Sequence, residues 1–473
     1  MSRWSLVTAA ALAAGPSLAA DVPWPQFRGP NAAGIADGQK LPVQFGPEKN
    51  VRWKVAVPSG FSSPVIAGDR LFLTAFDAGK LWTIAYARAD GKELWRAEAP
   101  AEAIEKYHKT EGSPAASTPV TDGERVVSYF GSAGLFCYDL DGKEQWRMPL
   151  PVAKTNNDFG SGTSPILADG LVILVRDTQT ESRLLAVDVK TGSRAWERPR
   201  DAKATGWGSP AVWRQPDGSA ELVVPGSFKL TGYDLRTGDP KWAVGGLSAI
   251  GCTTPVVADG TLIYAAWSPG GSADFKMPSF NDLLKADADG DGAISLAESE
   301  NTFLKGFFES NDTNHDGKIT RDEWDAQIKF MTSGKNSAVA VRPGGKGDVT
   351  GTHVAWRATK GLPYVPSPLV YRGLMYTANM RGQVSATDVA TGKDLYLDEN
   401  VGLNGVYASP IAADGHVYYF GLDGGIVVLK AGDTPLAAYR GKLGERTAAT
   451  PAVADGTLYV RTAKHLYAFA EGK

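Results

Sequence analysis

Short apolar runs recur along this chain, and each is opened by the same two residues. A Ser/Thr-Pro pair stands before the run at Ser63-Pro64, Thr118-Pro119, Ser164-Pro165, Ser209-Pro210, Thr254-Pro255, Ser367-Pro368, Ser409-Pro410 and Thr450-Pro451. The prolines are 55, 46, 45, 45, 113, 42 and 41 residues apart. Shortly after most of them comes a turn pair: Gly68-Asp69, Asp122-Gly123, Asp169-Gly170, Asp259-Gly260, Asp414-Gly415 or Asp455-Gly456. Asp-Gly between β-rich runs marks a tight hairpin, because that turn needs positive φ. The units close on an aromatic after an Asp-x-x-Thr-Gly turn: Trp196 after Gly192, Trp242 after Gly238, Tyr396 after Gly392. Shorter copies end at Trp95 and Trp146, and the unit containing Gly432-Asp433 shows no matching aromatic.

Four short strands in 41 to 46 residues is the size of a propeller blade. Eight units therefore predict an all-β fold: an eight-bladed β-propeller of four-stranded blades. The stretch Val51-Arg52-Trp53-Lys54-Val55 has no opening pair and is expected to complete the last blade. Such closure leaves no exposed ring edge. The tryptophans are expected between neighbouring blades, where losing one would cost about 3–5 kcal/mol.

The 113-residue interval predicts an insertion in blade five, small and α-helical. Inside it lie two twelve-residue loops, Asp287 to Glu298 and Asp312 to Glu323. Each has the spacing of a calcium-binding EF-hand loop. Asp287, Asp289 and Asp291, then Asp312, Asn314 and Asp316, put oxygen side chains at positions one, three and five. Glycine follows at position six, Ala293 and Lys318 would offer backbone carbonyls, and Ser295 and Thr320 stand where a bridging water is usual. Glu298 and Glu323 would bind bidentately. Calcium takes six to eight hard oxygens, which this pattern wraps around one ion. Ile294 and Ile319 fit a short strand pairing between the loops. Only residues 299–311 separate the loops, room for one shared helix with Phe303, Phe307 and Phe308 on its apolar face. The ends of the insertion read as flexible, turn-rich linkers around a separable module.

The chain of 473 residues thus divides into a signal peptide at 1–20, blades one to five at 21–268, the insertion at 269–336, and the rest of blade five with blades six to eight at 337–473. The first segment carries Arg3, an apolar stretch from Leu6 to Ala14, and small residues before a cleavage point near Ala19 or Ala20. It predicts a periplasmic or secreted protein. A net charge of −3 without basic clusters argues against nucleic acid or an anionic membrane surface. After residue 20 nothing approaches the roughly 18 apolar residues of a membrane span. The two cysteines, Cys137 and Cys252, lie too far apart in sequence for a disulfide framework to be read, and Cys137 is expected to be an inert buried thiol.

The stretch Ala186-Val-Asp188-Val-Lys-Thr191-Gly192-Ser-Arg-Ala-Trp196 resembles the tryptophan-docking repeat of quinoprotein (PQQ) dehydrogenase-like propellers. Trp24-Pro-Gln-Phe27-Arg28-Gly-Pro30 and Gly131-Ser-Ala-Gly134-Leu-Phe-Cys-Tyr138-Asp139 resemble secreted bacterial PQQ-like repeat proteins. The resemblance covers nearly all of the chain after residue 20 outside the insertion. It implies the fold more than the activity, since such proteins include dehydrogenases and a non-catalytic assembly propeller. Dehydrogenases of this kind carry an adjacent Cys-Cys pair over the cofactor, which is absent here, and no Cys-x-x-Cys-His haem motif is present.

The segments before each Ser/Thr-Pro pair are expected on one face, around the funnel. Among their residues, His108, Asn157, Asp158, Trp207, Tyr364, Tyr407 and Arg446 are the candidate ligand-binding set. His108 and Glu111 form a candidate acid–base pair, and Arg176-Asp177 a local ion pair. The sequence reading is an exported calcium-binding propeller, expected as a monomer, that holds a protein or small ligand on its funnel face. Calcium is the expected cofactor and PQQ is not expected. A quinoprotein-type oxidoreductase, or another enzyme with its site in the funnel, is the alternative.

Overall fold

The computed structural model describes residues 24–472 apart from 203, 273 and 275. The leader read in residues 1–20 lies outside the described residues. Among the described residues the chain forms eight consecutive antiparallel sheets, seven of four strands and one with an added fifth. This is an eight-bladed propeller. In each sheet a short strand, such as Val65–Ala67 or Ile166–Ala168, runs innermost, and three longer strands follow outward. Strand Val51–Ala56 pairs antiparallel with His465–Phe469, so the two ends of the chain share the sheet that closes the ring.

Proline in the opening pair explains why the innermost strand begins where it does. The residue before proline is held extended, and proline gives up a donor that the channel side has no use for. Type I′ geometry then turns the chain: Asp169, Asp259, Asp414 and Asp455 have φ of 46–48°, each followed by a glycine at positive φ. Arg372-Gly373 makes the same turn in the sixth sheet, with Arg372 at φ 52°, and no Asp-Gly announces it.

The closing tryptophans dock as their positions suggest. Trp53, Trp95, Trp146, Trp196 and Trp356 each donate Nε1–H to a backbone carbonyl of the next sheet, on Arg88, Leu140, Val189, Leu235 and Val389, at 2.7–3.2 Å. The ring lies on the turn glycine of that sheet, Gly91, Gly142, Gly192, Gly238 or Gly392. Trp242 differs. Its Nε1 donates to the buried Glu221 carboxylate at 2.7 Å, and Gly347–Asp348 adds a parallel strand beside it. The seventh unit does have an outer aromatic, Tyr439, displaced along strand Ala437–Lys442. It packs on Phe45 and donates its hydroxyl to the Phe45 carbonyl at 2.9 Å.

Residues 24–50 form an arm that the repeat does not explain. Trp24 and Pro25 accept backbone hydrogen bonds from Ile66 and Thr121 in the first two innermost strands, and the Gln26 amide accepts one from Leu167 in the third. Arg28 then crosses to Pro368 O in the sixth sheet at 2.8 Å. The Trp24–Pro30 motif is thus a bar across the channel, with Phe45 filling the core between the last two sheets.

The helical segment lies between strands Thr261–Ala266 and Ser337–Val341, which are paired neighbours in one sheet. Its own core is Phe280, Leu283, Ile294, Leu304, Phe308, Ile319 and Trp324. Two expectations are corrected here. The stretch between the loops is not one helix but three pieces, Leu296–Ser299, a 3-10 turn at Phe303–Gly306, and Phe308–Asn311. Thr302 starts a new cap by accepting from Leu304 N–H, which stops the first helix from continuing, and only Phe308 of the three phenylalanines is buried. The ends are not loose linkers either. Ser268 and Asn336 are both buried and clamp each other, N–H to Oδ1 at 2.8 Å and Nδ2–H to carbonyl at 2.9 Å. Phe330 meets Phe228 of the ring with centroids 5.1 Å apart, so the segment is seated on the propeller.

Candidate functional site

The hydroxyls of the eight opening pairs meet at the centre of the ring. Ser63 N–H donates to Thr118 Oγ1, Thr118 to Ser164, Ser164 to Ser209, Ser209 to Thr254, Thr254 to Ser367, Ser367 to Ser409, Ser409 to Thr450, and Thr450 back to Ser63. Each contact is 2.9–3.2 Å. Every buried N–H in this girdle is satisfied by the next blade's hydroxyl, which is why position after position is Ser or Thr.

Above the girdle lies a cavity of about 520 Å³. Its wall runs from Phe27 of the arm, past the eight Ser/Thr residues, to the helical segment, whose Phe303, Phe307, Asn311, Trp324, Gln327, Phe330 and Met331 form the opposite side. Of the predicted funnel residues, Asn157, Trp207, Tyr364 and Tyr407 line it. His108, Asp158 and Arg446 are not among its lining residues. His108 lies against Phe159 with centroids 5.3 Å apart, and Asp158 faces Lys106 at 3.6 Å. The Arg446 guanidinium sits over both Phe61 and Tyr407. His108 and Glu111 do not make an acid–base pair. Nδ1 accepts the Glu111 backbone N–H, while the Glu111 carboxylate accepts from the Tyr407 hydroxyl at 3.2 Å. Arg176 and Asp177 also part company: alternation along the strand sends Arg176 to Glu181 and Asp177 to Arg200 at 2.9 Å.

Wall chemistry is mostly apolar and neutral. Burial pushes the Cys252 thiol up to about 12, so it is a neutral group there. Burial, with Glu111 beside it, does the same to the Tyr407 phenol, also to about 12. Cys137 is buried in its strand and its thiol is likewise pushed to about 12. Among the described lining residues Glu111 is the only charged side chain. Pyrroloquinoline quinone is a tricarboxylate. The described lining residues include no Lys or Arg to counter those carboxylates, and the sequence has no adjacent cysteine pair, so these residues do not fit that cofactor.

The acidic loops are built in parallel. In the first, Asp287 accepts from Gly290 and Gly292 N–H at 2.7 and 3.0 Å, and oxygens of Asp287, Asp289 and Asp291 all lie within 4.8 Å of one another. In the second, Asp312 accepts from Asp316 and Gly317 N–H at 3.1 and 2.9 Å, and Asn314 stands in for a carboxylate. Glu298 and Glu323 cap the helices they begin, through Ser295 and Thr320, and reach back to the start of their own loops. Hydrogen bonds from Ser295 first, then from Ala288, hold the Glu298 carboxyl at about 2. Ile294 pairs with Ile319 between the loops. In the first loop, convergent hard oxygens on a preformed turn suit a calcium-sized cation. The Lys318 ammonium from the second loop rests on Asp291 of the first, which no sequence spacing had suggested.

The blade repeat, the docking tryptophans and the paired loops define a PQQ-like repeat β-propeller with an EF-hand segment. Residues 80–279 match the family described as outer membrane protein assembly factor BamB, and residues 280–298 and 304–329 match the EF hand. No curated protein is similar to the chain by sequence. BamB from Moraxella catarrhalis is similar in structure, at 15% identity, with TM-score 0.56, over 88% of this chain and 98% of that one. A europium-containing methanol dehydrogenase reaches TM-score 0.60 at 11% identity over 95% and 98%. Quinohemoprotein alcohol dehydrogenase ADHIIG from Pseudomonas putida HK5 reaches 0.53 at 12% over 95% and 81%. At these identities the likeness is one of fold. Among the described residues no helix is long and apolar enough to cross a membrane.

Proposed function

We propose that this chain is an exported calcium-binding propeller that holds a ligand or protein at its funnel, in the periplasm or outside the cell. The observation that carries it is the first loop, where three aspartates present oxygens within 4.8 Å of one another on a turn of EF-hand spacing. Asp287, Asp289, Asp291, the Ala293 carbonyl, Ser295 and Glu298 would hold one ion. Asp312, Asn314, Asp316, the Lys318 carbonyl, Thr320 and Glu323 would hold a second. Four carboxylates against three favour tighter binding in the first loop. The insertion belongs to the fifth blade in this reading, and the export signal to residues 1–20.

Calorimetry with calcium is the test. Two sites are expected, with Glu298→Gln and Glu323→Gln each removing one. A chain that binds none at millimolar calcium overturns the reading. Mass measurement of the exported protein should show cleavage near Ala19 or Ala20. The quinoprotein alternative rests on fold likeness alone, and saturable quinone binding with turnover would restore it.

A further inference from the structure

We infer that the helix Arg321–Ser333 is a calcium-positioned roof over a binding cavity for a neutral or cationic aromatic molecule. The ligand class comes from the wall, and the control by calcium rests on the calcium reading of the second loop.

The cavity is shaped for a flat apolar body. On the propeller side Trp207 is held still: its Nε1–H donates to Gly160 O at 2.8 Å, and Phe159 meets it edge-on at 6.1 Å. The ring rests on Gly162, where a Cβ would come within 2.8 Å of it, so no side chain can lift it. On the roof side Phe307 is 38% exposed and lines the same space. Two aromatic side chains lining one cavity favour an aromatic occupant.

The eight Ser/Thr oxygens of the wall already accept from the neighbouring blades. The buried Asn311 Oδ1 has no hydrogen-bond partner although Asn311 is only 4% exposed, while its Nδ2 is engaged by Phe307 O at 2.7 Å. Glu111 is the one charged side chain among the described lining residues, and the Arg446 guanidinium lies over its partner Tyr407. An anion would lose its hydration and meet no cationic side chain among the described lining residues, whereas a neutral or cationic aromatic loses less.

Cavity wall and second loop are joined at both ends. Asn311 immediately precedes Asp312, the first loop position. Trp324 immediately follows Glu323, the last, and Gln327 and Met331 continue the wall along the same helix. Glu323 takes hydrogen bonds from Thr320 N–H at 2.9 Å and Thr313 N–H at 2.9 Å, so it already ties the loop's start to the helix's start. A helix this short moves as one body. Whatever places Glu323 places Gln327 and Met331, and an ion in the second loop engages that carboxylate. Binding in the loop and in the cavity are therefore linked, and by the same factor in each direction.

The experiment uses the full chain and two probes that differ by one group: neutral N-phenyl-1-naphthylamine and its anionic sulfonate, 8-anilinonaphthalene-1-sulfonate. Each is titrated by fluorescence with excess calcium and with a chelator, and calcium binding is measured separately by calorimetry. The neutral probe is expected to saturate at one per chain and to bind at least about tenfold more tightly than the sulfonate. Trp207→Ala, or Phe307→Ala where the first does not fold, should weaken it about as much. Calcium should change its affinity by about fivefold or more. Glu323→Gln should abolish that change and Glu298→Gln should keep it. Equal or tighter sulfonate binding, or indifference to both aromatic variants, overturns the ligand class. Calcium bound in the second loop with unchanged probe affinity overturns the roof. If no calcium binds, the calcium reading and the roof fall together, and the probe pair still decides the cavity.

Discussion

Trp146 lies flat on Gly192 of the next blade: a Cβ at Gly192 would sit 2.6 Å from the indole, and Trp146 Nε1 donates to Val189 O at 2.9 Å. Space and hydrogen bond are both set by one turn. Gly192 also has φ 70°. Gly192→Ala therefore carries backbone strain plus a clash and should cost about 2–4 kcal/mol. Gly170 has φ 80° with nothing within 4 Å, so Gly170→Ala should cost only the strain, about 1 kcal/mol. Denaturant melts of the two variants separate these effects, and equal losses would contradict the docking role.

The girdle makes a different demand. Ser164 Oγ accepts from Thr118 N–H at 2.9 Å in a buried place. Ser164→Ala strands that donor and should cost about 1–3 kcal/mol. Ser164→Thr keeps the oxygen, as Thr118, Thr254 and Thr450 do in their blades, and should be close to neutral. A loss of stability as large for Thr as for Ala would point to packing instead of the hydrogen bond.

Glu105 sets a pH dependence. It is buried with one oxygen unpartnered, while the other accepts from Ser161 Oγ at 2.7 Å, and burial pushes its carboxyl up to about 7 from 4.5. Between those values the folded chain holds a proton that the unfolded chain has released. Its effect is nil below about 4.5, and stability falls as pH rises to about 7, by about 3 kcal/mol at most. Glu105→Gln keeps the acceptor without the charge. Its melting temperature should match the wild type at pH 4.5 and exceed it at pH 8. A wild-type advantage at pH 8 would reject the buried neutral acid.

Lys318 competes for a ligand. Its ammonium rests on Asp291, and that contact first, with the Ala293 N–H next, draws the Asp291 carboxyl below its ordinary value. Lys318→Met removes the competing charge and leaves the backbone carbonyl of the second loop in place. Calcium affinity of the first loop should rise severalfold, most visibly at low salt. No change in calorimetric affinity would mean that the lysine swings free in solution.

What the sequence determined by itself was everything with a local period. Ser/Thr-Pro, Asp-Gly and Thr-Gly-x-x-x-Trp are turn and strand-end chemistry repeated every few dozen residues, so blade number and tryptophan docking were legible, as was the pattern of the acidic loops. Arg372-Gly373 was missed because its first residue is not a turn former, and Tyr439 because it sits at a shifted position. Closure decided the rest. Thr450 N–H reaches Ser63 Oγ across 387 residues, and only a closed circle turns eight separate hydroxyls into a girdle. The Trp207–Phe307 cavity exists because a segment inserted late in the chain folds back over a face built early. Neutral walls, the buried acid at Glu105 and the lysine on Asp291 follow from which side chains meet. Meeting is a property of the packed ring and is carried by no period in the chain.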